Sequence, residues 1–388
     1  MHFDIRIIQQ RLNSQVNFNK NIFDILNMKK SPKKDKKIKI SILGCGRVAL
    51  HYLKLFKNNK IKNCEIISVC DIDKKKRSFF SKELICKNYD SINIMLKETK
   101  PDIIMVLTPS GMHFQHCKRI LNNNFNVICE KPLSMNEKQC KILDSIAKKK
   151  KLMLGVVFQN RLNPSIQILK KYLDAKKFGK IVNISVSLIW CRYQNYYNDN
   201  WHGTWSNDGG VTNQQAIHHI DILNWLLGPI TKISSIVTKR ANKLEAEDTM
   251  ASVFQLKNGA LGTIEATTAA RPKDFHASLS VVGTKGHVKI EGVALNKIVT
   301  WEFEKESKKK SYYIKKKYSQ KVPNGYGLSH EKYLNIYIKN LKNRHKVPPV
   351  SAEDAAKTQR LIHAIYYGHE KRRWVKVSER VQSSYLGK

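Results

Sequence analysis

The first residues with a clear chemical use form a glycine-rich stretch near the start of the chain. This stretch, Gly44-Cys45-Gly46-Arg47-Val48-Ala49, follows an apolar run over residues 38–43 and opens a helical pattern. In that setting the first glycine allows a tight turn, the second lets the main chain approach a pyrophosphate, and the alanine permits close packing of helix on strand. The amino terminus of the helix then faces the anion. The spacing predicts a dinucleotide-binding loop; the alternative is a glycine turn in an α/β domain that binds no nucleotide.

An acidic residue stands where the second strand-like run ends. Asp71 lies 22 residues after Ala49. A carboxylate there can accept hydrogen bonds from both ribose hydroxyls of a dinucleotide and repel a 2′-phosphate, which favours NAD over NADP. The basic run Lys74–Arg77 lies just beyond and could instead hold a 2′-phosphate, so NADP remains the less favoured alternative.

The pattern of apolar residues indicates which elements hold these groups. From Ile38, short apolar runs alternate with longer amphipathic segments, which is typical of βαβ units around a parallel sheet. After about residue 160 the runs lengthen and alternate in polarity, as in antiparallel sheets. We therefore predict an α/β protein with a basic extension over residues 1–37, a Rossmann dinucleotide-binding domain over 38–158, and an α+β domain over 159–388. The last domain has an open, mainly antiparallel sheet, and we expect it to carry the substrate pocket and an oligomer interface.

Composition narrows the class of protein further. The net charge is +39, but the lysine runs are scattered, which favours compositional drift over a nucleic-acid-binding patch. No apolar run reaches the roughly 18 residues that a membrane span needs, and residues 1–37 lack the features of a secretory signal. The eight cysteines form no C-x-x-C pair, so neither a metal site nor a disulfide framework is predicted. We expect a cytoplasmic protein that binds no nucleic acid, membrane or metal.

Two further motifs follow later strands of the predicted sheet. Thr108-Pro109-Ser110 and His113 come after the fourth strand-like run, and Glu130-Lys131-Pro132 ends the fifth. With the glycine-rich loop they resemble the Gfo/Idh/MocA family of NAD(P)-dependent oxidoreductases, over about residues 38–378. The resemblance implies that Lys131 lies at the nicotinamide edge of a substrate site. It also implies a set of cofactor contacts: Gly44, Cys45, Gly46, Arg47, Val48, Asp71, Thr108, Pro109, Ser110, His113, Glu130, Lys131 and Gln159.

A stretch in the predicted second domain carries the acid/base candidates. Residues 208–221 read DGGVTNQQAIHHID, against a usual family pattern of Gly-Gly-x-x-x-Asp-x-Gly-x-His-x-x-Asp. Counted from Gly210, the histidine position is His218 and the last acid is Asp221, but the usual aspartate is replaced by Gln214. On a helix these three residues share one face. Because an amide cannot take a proton, we assign the catalytic roles to His218 and Lys131. The competing His219 lies about 100° around the helix.

Gln214, together with the segments 159–164, 190–192, 201–205 and 267–272, is similar to one branch of this family. Members of the branch oxidise the 3-hydroxyl of UDP-N-acetyl-2-amino-2-deoxy-D-glucuronate to the 3-keto sugar, in the biosynthesis of surface polysaccharide such as lipopolysaccharide or O-antigen. The similarity implies a nucleotide-sugar substrate, a 2-oxoacid as a candidate acceptor for recycling NADH, and a homodimer or homotetramer. The substrate contacts that it implies are Lys131, Asn160, Arg161, Arg192, Tyr196, Tyr197, Trp205, Asn213, Gln214, His218 and Arg271.

Other interpretations stay open at this point. Guanidinium groups suit a diphosphate and a carboxylate, but Arg161, Arg192 and Arg271 could equally be partners in structural ion pairs. The tyrosines and tryptophans could line a sugar pocket or form an aromatic core. The runner-up function is a dehydrogenase of another pyranoside or an inositol. A sugar- or NAD-sensing protein without turnover is the non-catalytic alternative, because the usual aspartate is missing.

Overall fold

Six short strands in the amino-terminal half form one parallel sheet. The computed structural model describes residues 36–388, so residues 1–35 of the predicted extension lie outside the described part. The sheet order is β3-β2-β1-β4-β5-β6, and its strands pair only in parallel. Parallel strands covered on both faces read as apolar runs, and such runs mark these strands in the sequence except the three-residue β3, Lys-Asn-Tyr. The strands are β1 Ile38–Leu43, β2 Cys64–Cys70, β3 Lys87–Tyr89, β4 Ile103–Val106, β5 Asn126–Cys129 and β6 Leu154–Val156.

Helices connect these strands, as the βαβ pattern predicts. They are α1 Arg47–Lys57, α2 Lys74–Leu84, α3 Ile92–Glu98, α4 His113–Asn122 and α5 Glu137–Lys149. The strand order reverses direction between β1 and β4, where the chain crosses from one side of the sheet to the other. Ligand crevices of open α/β sheets form at the carboxyl ends of the strands beside such a switch point. The fold therefore places the glycine-rich loop after β1, and the Thr108 segment after β4, at one edge.

The carboxyl-terminal half contains an eight-stranded sheet. Its order is β13-β12-β11-β7-β10-β9-β8-β14. All of its pairs are antiparallel except β7 with β10, which is parallel. The predicted fold class is confirmed, with this one parallel pair making the second sheet mixed. Its strands are β7 Ile181–Ile189, β8 Ile230–Thr238, β9 Thr249–Leu256, β10 Leu261–Thr267, β11 His276–Gly283, β12 Gly286–Glu291, β13 Lys297–Phe303 and β14 Val375–Lys376.

Six helices accompany the second sheet. They are α6 Pro164–Asp174, α7 Val211–Gln214, α8 Ile217–Leu227, α9 Lys308–Tyr318, α10 Ser329–Lys342 and α11 Ala352–Lys371. The single helical face expected for residues 214, 218 and 221 is wrong, because the helix is interrupted between α7 and α8. None of the helices within residues 36–388 has the length and apolar character that a membrane span requires.

Candidate active site

A cleft of about 1500 Å³ runs from the carboxyl ends of β1, β2 and β4 to α7 and the start of α8. The amino-terminal half contributes the glycine-rich loop, Asp71 and the segments after β4 and β5 to its lining. The structure brings together in this cleft the residues predicted to bind the cofactor: Gly44, Cys45, Gly46, Arg47, Val48, Asp71, Thr108, Pro109, Ser110, His113, Glu130, Lys131 and Gln159.

The glycine-rich loop has the shape that a dinucleotide cradle needs. Gly44 has φ of +97°, and a Cβ there would lie 2.7 Å from the main-chain carbonyl carbon of Leu107. A side chain at this position would therefore push β1 away from the segment after β4. A Cβ on Gly46, in contrast, would meet no atom within 4 Å. Space is thus left open at the amino terminus of α1, where main-chain N–H groups attract a pyrophosphate.

Asp71 presents its carboxylate at the same edge of the sheet. Its Oδ2 accepts a hydrogen bond from the N–H of Cys45 at 2.7 Å, and its Oδ1 accepts one from the N–H of Asp73 at 2.8 Å. The nearby Arg77 donates to the carbonyl oxygens of Asp71 and Ile72 at 3.3 and 3.0 Å. That guanidinium is therefore engaged with the main chain. A fixed carboxylate beside an occupied arginine favours a ribose hydroxyl over a 2′-phosphate.

His113 ties two loops of the cleft together. Its ring nitrogens lie 2.6 Å from the carbonyl oxygen of Pro132 and 2.7 Å from that of Thr108. The ring is buried, so these contacts hold the segment after β4 against the segment after β5. Because Lys131 immediately precedes Pro132, the histidine also helps to fix where the lysine enters the cleft.

Lys131 meets Gln214 across the cleft. Its Nζ donates to the carbonyl oxygen of Gln214 at 2.6 Å and also to the side-chain Oε1 of the same residue. The Gln214 amide Nε2 donates in turn to Oδ1 of Asp208. Burial lowers the pKa of Lys131, and the charges of Glu130 and Asp208 act against this effect. The structure thus joins an amine and a buried carboxylate through one amide.

His218 is one of the histidines on the cleft lining. Its Nδ1 is buried and has no hydrogen-bond partner among the described residues. Burial lowers the pKa of His218 well below its usual range, and the charge of Lys131 lowers it further. A neutral ring with a free nitrogen can accept a proton. His219 lies outside the cleft lining, although both of its nitrogens are also without partners, and burial lowers its pKa to about 4.

Five predicted substrate residues line the cleft: Lys131, Arg192, Tyr196, Gln214 and His218. Arg192 donates to Oδ1 of Asp274 at 3.0 Å, and its guanidinium lies 5.0 Å from the ring centroid of Trp190. The guanidinium is thus oriented by a carboxylate and an aromatic face at the wall of the cleft.

Two of the predicted arginines have structural partners outside the cleft lining. Arg161 is buried, donates to both carboxylate oxygens of Asp221 at 2.7 Å and reaches Asp354 at 3.0 Å. Its positive charge is compensated there, and Asp221 is withdrawn from the acid/base group by the same pair. Arg271 donates to the carbonyl oxygens of Thr268 and Ala270 at 3.3 and 2.8 Å. Ion pairing and main-chain contacts are the alternative that the sequence left open for these arginines.

The remaining four predicted substrate residues also lie outside the lining: Asn160, Tyr197, Trp205 and Asn213. Trp205 stacks on Tyr385 with ring centroids 5.4 Å apart, so it belongs to an aromatic cluster. Asn213 donates to the carbonyl oxygen of Asp208 at 2.7 Å. Tyr197 shares a hydrogen bond of 2.8 Å with the hydroxyl of Thr268. Asn160 is buried, with an Oδ1 that has no partner among the described residues.

Several cleft residues were missed by sequence reasoning. Asp199 pairs with Arg47 at 2.5 Å and with the ring of His202 at 2.7 Å, so the segment after β7 is fastened to the glycine-rich loop. His330, at the start of α10, lies 3.8 Å from Glu130. These partners are far apart in the chain, and no local spacing signals them. Asp208, which is buried outside the cleft lining, was also missed, although it directly precedes the Gly-Gly pair.

Comparison with known proteins identifies both halves of the chain. Two family models of Gfo/Idh/MocA oxidoreductases match: the NAD-binding Rossmann fold over residues 38–158 and the C-terminal alpha/beta domain over residues 170–377.

The most informative solved structure is the WlbA dehydrogenase from Chromobacterium violaceum in complex with NADH and UDP-GlcNAcA. It is 31% identical, with a TM-score of 0.81, and the match covers 89% of this chain and 97% of that one. Glucose-6-phosphate 3-dehydrogenase of Bacillus subtilis is 25% identical over 265 residues, which are 65% of this chain and 73% of the relative. Myo-inositol 2-dehydrogenase of Thermotoga maritima is 23% identical over 357 residues, which are 88% and 99% of the two chains.

Proposed function

The chain belongs to the Gfo/Idh/MocA family of oxidoreductases, and on this premise we propose that it is an NAD-dependent dehydrogenase of a nucleotide sugar. The substrate is UDP-N-acetyl-2-amino-2-deoxy-D-glucuronate, and the product is its 3-keto derivative, an intermediate for surface polysaccharide. The observation that carries the proposal is the meeting of Lys131, Gln214 and the His218 imidazole in the cleft that holds the dinucleotide loop. The likeness to a dehydrogenase solved with NADH and UDP-GlcNAcA supports the choice of sugar.

The residues present suit the oxidation of a secondary alcohol. Bound NAD supplies a nicotinamide ring that accepts the hydride from the sugar carbon. The hydroxyl proton must leave at the same time, and the neutral imidazole of His218, which lies on the cleft lining, can take it. The Lys131 ammonium stabilises the negative charge that develops on the oxygen. Gln214 takes no proton and holds the amine in place through its Oε1.

The cleft lining carries both acidic and basic side chains, and three of its cations can contact an anionic substrate. Arg47, Lys131 and Arg192 are cations on its lining. A diphosphate and a uronate carboxylate bring several negative charges, which such groups attract and orient. Arg192 stands between Trp190 and Tyr196, with its guanidinium 5.0 and 5.7 Å from their ring centroids. We assign the aromatic wall and this guanidinium to the substrate.

The test is an assay of NADH absorbance with purified protein, NAD and three sugars. The first is the proposed UDP-uronate, the second is UDP-N-acetylglucosamine, which lacks the carboxylate, and the third is the uronate without UDP. We expect turnover with the first only, or a burst of about one equivalent that becomes turnover when 2-oxoglutarate is added. Equal activity on the sugar without UDP would refute the nucleotide-sugar assignment.

A second candidate function rests on the curated relatives. The glucose-6-phosphate and inositol dehydrogenases resemble this chain over most of its length, and the same lysine and histidine suit any ring alcohol. Turnover with free pyranosides or inositols in place of the UDP-uronate would select this function. NAD binding without turnover on any of these alcohols would select the sensor.

We also propose that the chain forms a homodimer or homotetramer through the open face of the second sheet. Ile236, Val253 and Leu261 lie on that face and are 69%, 46% and 56% exposed. Exposed apolar side chains grouped on a sheet are typical of an interface. Light scattering of the purified protein measures the state directly, and a monomer at micromolar concentration would refute this assignment.

A further inference from the structure

The loop residue Asp208 holds a buried carboxylate that the chemistry described so far does not use. Asp208 is 1% exposed and lies in the segment that connects β7 to helix α7. Its Oδ2 accepts a hydrogen bond from the N–H of Gly203 at 2.7 Å, and its Oδ1 accepts one from Nε2 of Gln214. Both oxygens are therefore held, one by the main chain and one by the amide that contacts Lys131.

We propose that Asp208 is a positioning residue that acts on Lys131 through Gln214, fixing the orientation of the amide and supplying the negative charge that the amine faces. This inference rests on the proposed function for its kinetic consequence, but its structural content does not require the substrate to be known.

The hydrogen bonds determine the orientation of the Gln214 amide. A carboxylate can only accept and an ammonium can only donate. The Nε2 of Gln214 must therefore point to Asp208, and its Oε1 must point to Lys131. With a neutral acceptor in place of Asp208, the opposite orientation of the amide becomes available, and the amine loses its side-chain acceptor and keeps only the carbonyl oxygen of Gln214. The carboxylate thus decides which atom of Gln214 meets the lysine.

The charge on Asp208 also matters because little water reaches the two groups. Asp208 is buried and Lys131 is mostly enclosed, and each influences the ionisation of the other. Burial raises the pKa of Asp208 to about 8, Glu247 adds to the rise, and Gly203, Lys131 and Gln214 oppose it. The two N–H bonds that its oxygens accept suit the carboxylate form, which is the main form above about pH 8, and its charge acts on the amine in that range. The groups that act on Lys131 are Glu130, from its own segment, and Asp208, from the opposite domain. A carboxylate near an ammonium favours the charged amine.

The test compares two variants that move this charge in opposite directions. Asp208→Asn removes it. The double variant Asp208→Asn with Gln214→Glu exchanges amide and carboxylate. The amide at position 208 then accepts from Gly203 and donates to the carboxylate at position 214, and Lys131 donates to that carboxylate directly. The exchange keeps every hydrogen bond and brings the charge next to the amine. Asp248→Asn is the matched control, because it makes the same change at a buried carboxylate that acts on neither Lys131 nor Asp208.

The readout is competitive acetylation of the lysines with acetic anhydride across a pH series, followed by mass spectrometry of the peptide that contains Lys131. The exposed lysines of the same chain serve as internal standards. We expect the titration of Lys131 to move about one pH unit down in Asp208→Asn and up in the exchange variant. It should stay within a few tenths of a unit in Asp248→Asn. In the pH profile of kcat, the apparent pKa that reports Lys131 should move down in Asp208→Asn and up in the exchange variant.

The results that would contradict the role of Asp208 differ from those that would contradict the proposed substrate. A Lys131 titration that is unchanged, or that moves the same way in both variants, would overturn it, as would a Lys131 that stays unmodified at every pH. If Asp208→Asn does not fold, the exchange variant alone decides, because an upward shift still requires the charge to act on the amine. Absence of turnover with the UDP-uronate, together with the expected titration shifts, would refute the substrate and leave the role of Asp208 standing.

Discussion

The cleft has a cofactor end, at the glycine-rich loop, and a substrate end, at Lys131 and His218, and the two ends use different groups of the protein. At the cofactor end, main-chain groups form the binding surface: Gly44 makes the turn, Gly46 leaves space, and the start of α1 presents its N–H groups. At the substrate end, enclosed ionisable side chains form the surface, and burial lowers the pKa values of both Lys131 and His218. Backbone geometry sets affinity without titrating, whereas enclosed charges set turnover and depend on their neighbours. Substitutions at the two ends should therefore have different kinetic signatures.

The largest expected effect is at Lys131. Lys131→Met removes the cation while keeping an unbranched chain of similar length. We expect kcat to fall by about 10³- to 10⁴-fold, because the developing alkoxide loses its main stabilising charge. NADH affinity, measured by fluorescence titration, should change only a few fold.

Lys138→Met is the control for Lys131→Met, since Lys138 is exposed at the start of α5. It should leave kcat unchanged. Parallel losses of kcat and NADH affinity in Lys131→Met would break the division between the two ends of the cleft, because the lysine would then serve the cofactor as well.

The next largest effect is expected at His218. His218→Asn keeps a hydrogen-bonding group but removes the group that accepts the proton, so kcat should fall about 10²- to 10³-fold. His219→Asn is the matched variant, because His219 is a buried neighbour that does not line the cleft. It should keep kcat within a few fold. The reverse order of the two losses in a steady-state assay would assign the base to His219.

The same contrast explains which residues could be predicted from the sequence. Gly44 and Asp71 were predictable because each follows its own strand, and the parallel sheet brings strand ends together. Arg161 was not, because a guanidinium suits a ligand and a protein carboxylate equally, and its partner Asp354 lies 193 residues away in the chain. The helix break before Ile217 was missed for a related reason. The N–H of Gln215 still donates to the carbonyl oxygen of Val211, as in a helix, but the N–H of Ala216 donates to the same oxygen, and no residue type signals this change.

At the cofactor end, the main side-chain contribution is expected from Asp71. Asp71→Asn loses the charged acceptor for the ribose hydroxyls, and hydrogen bonds to charged groups contribute about 1.5–3 kcal/mol. We expect the KM for NAD to rise at least tenfold, with kcat at saturation nearly unchanged, and discrimination against NADP to weaken. Asp73→Asn is the control, because asparagine caps a helix as well as aspartate does and Asp73 already caps α2. A fall in kcat without a change in KM would contradict a role limited to the cofactor.

The smallest expected effect is at the contact that joins the two ends. Arg47 donates to Asp199 at 2.5 Å and to the carbonyl oxygen of Tyr196 at 3.0 Å, so the segment after β7 is fastened to the glycine-rich loop. Both charged groups are partly exposed, and such pairs contribute about 1 kcal/mol or less. Arg47→Met should therefore speed NADH release by no more than about fivefold in stopped-flow fluorescence, and added salt should reduce the difference. Asp199→Asn should act alike, and the double variant should add little, because both changes break the same contact. Additive effects would mean that each residue holds the cofactor independently, in which case side chains matter as much at the cofactor end as at the substrate end.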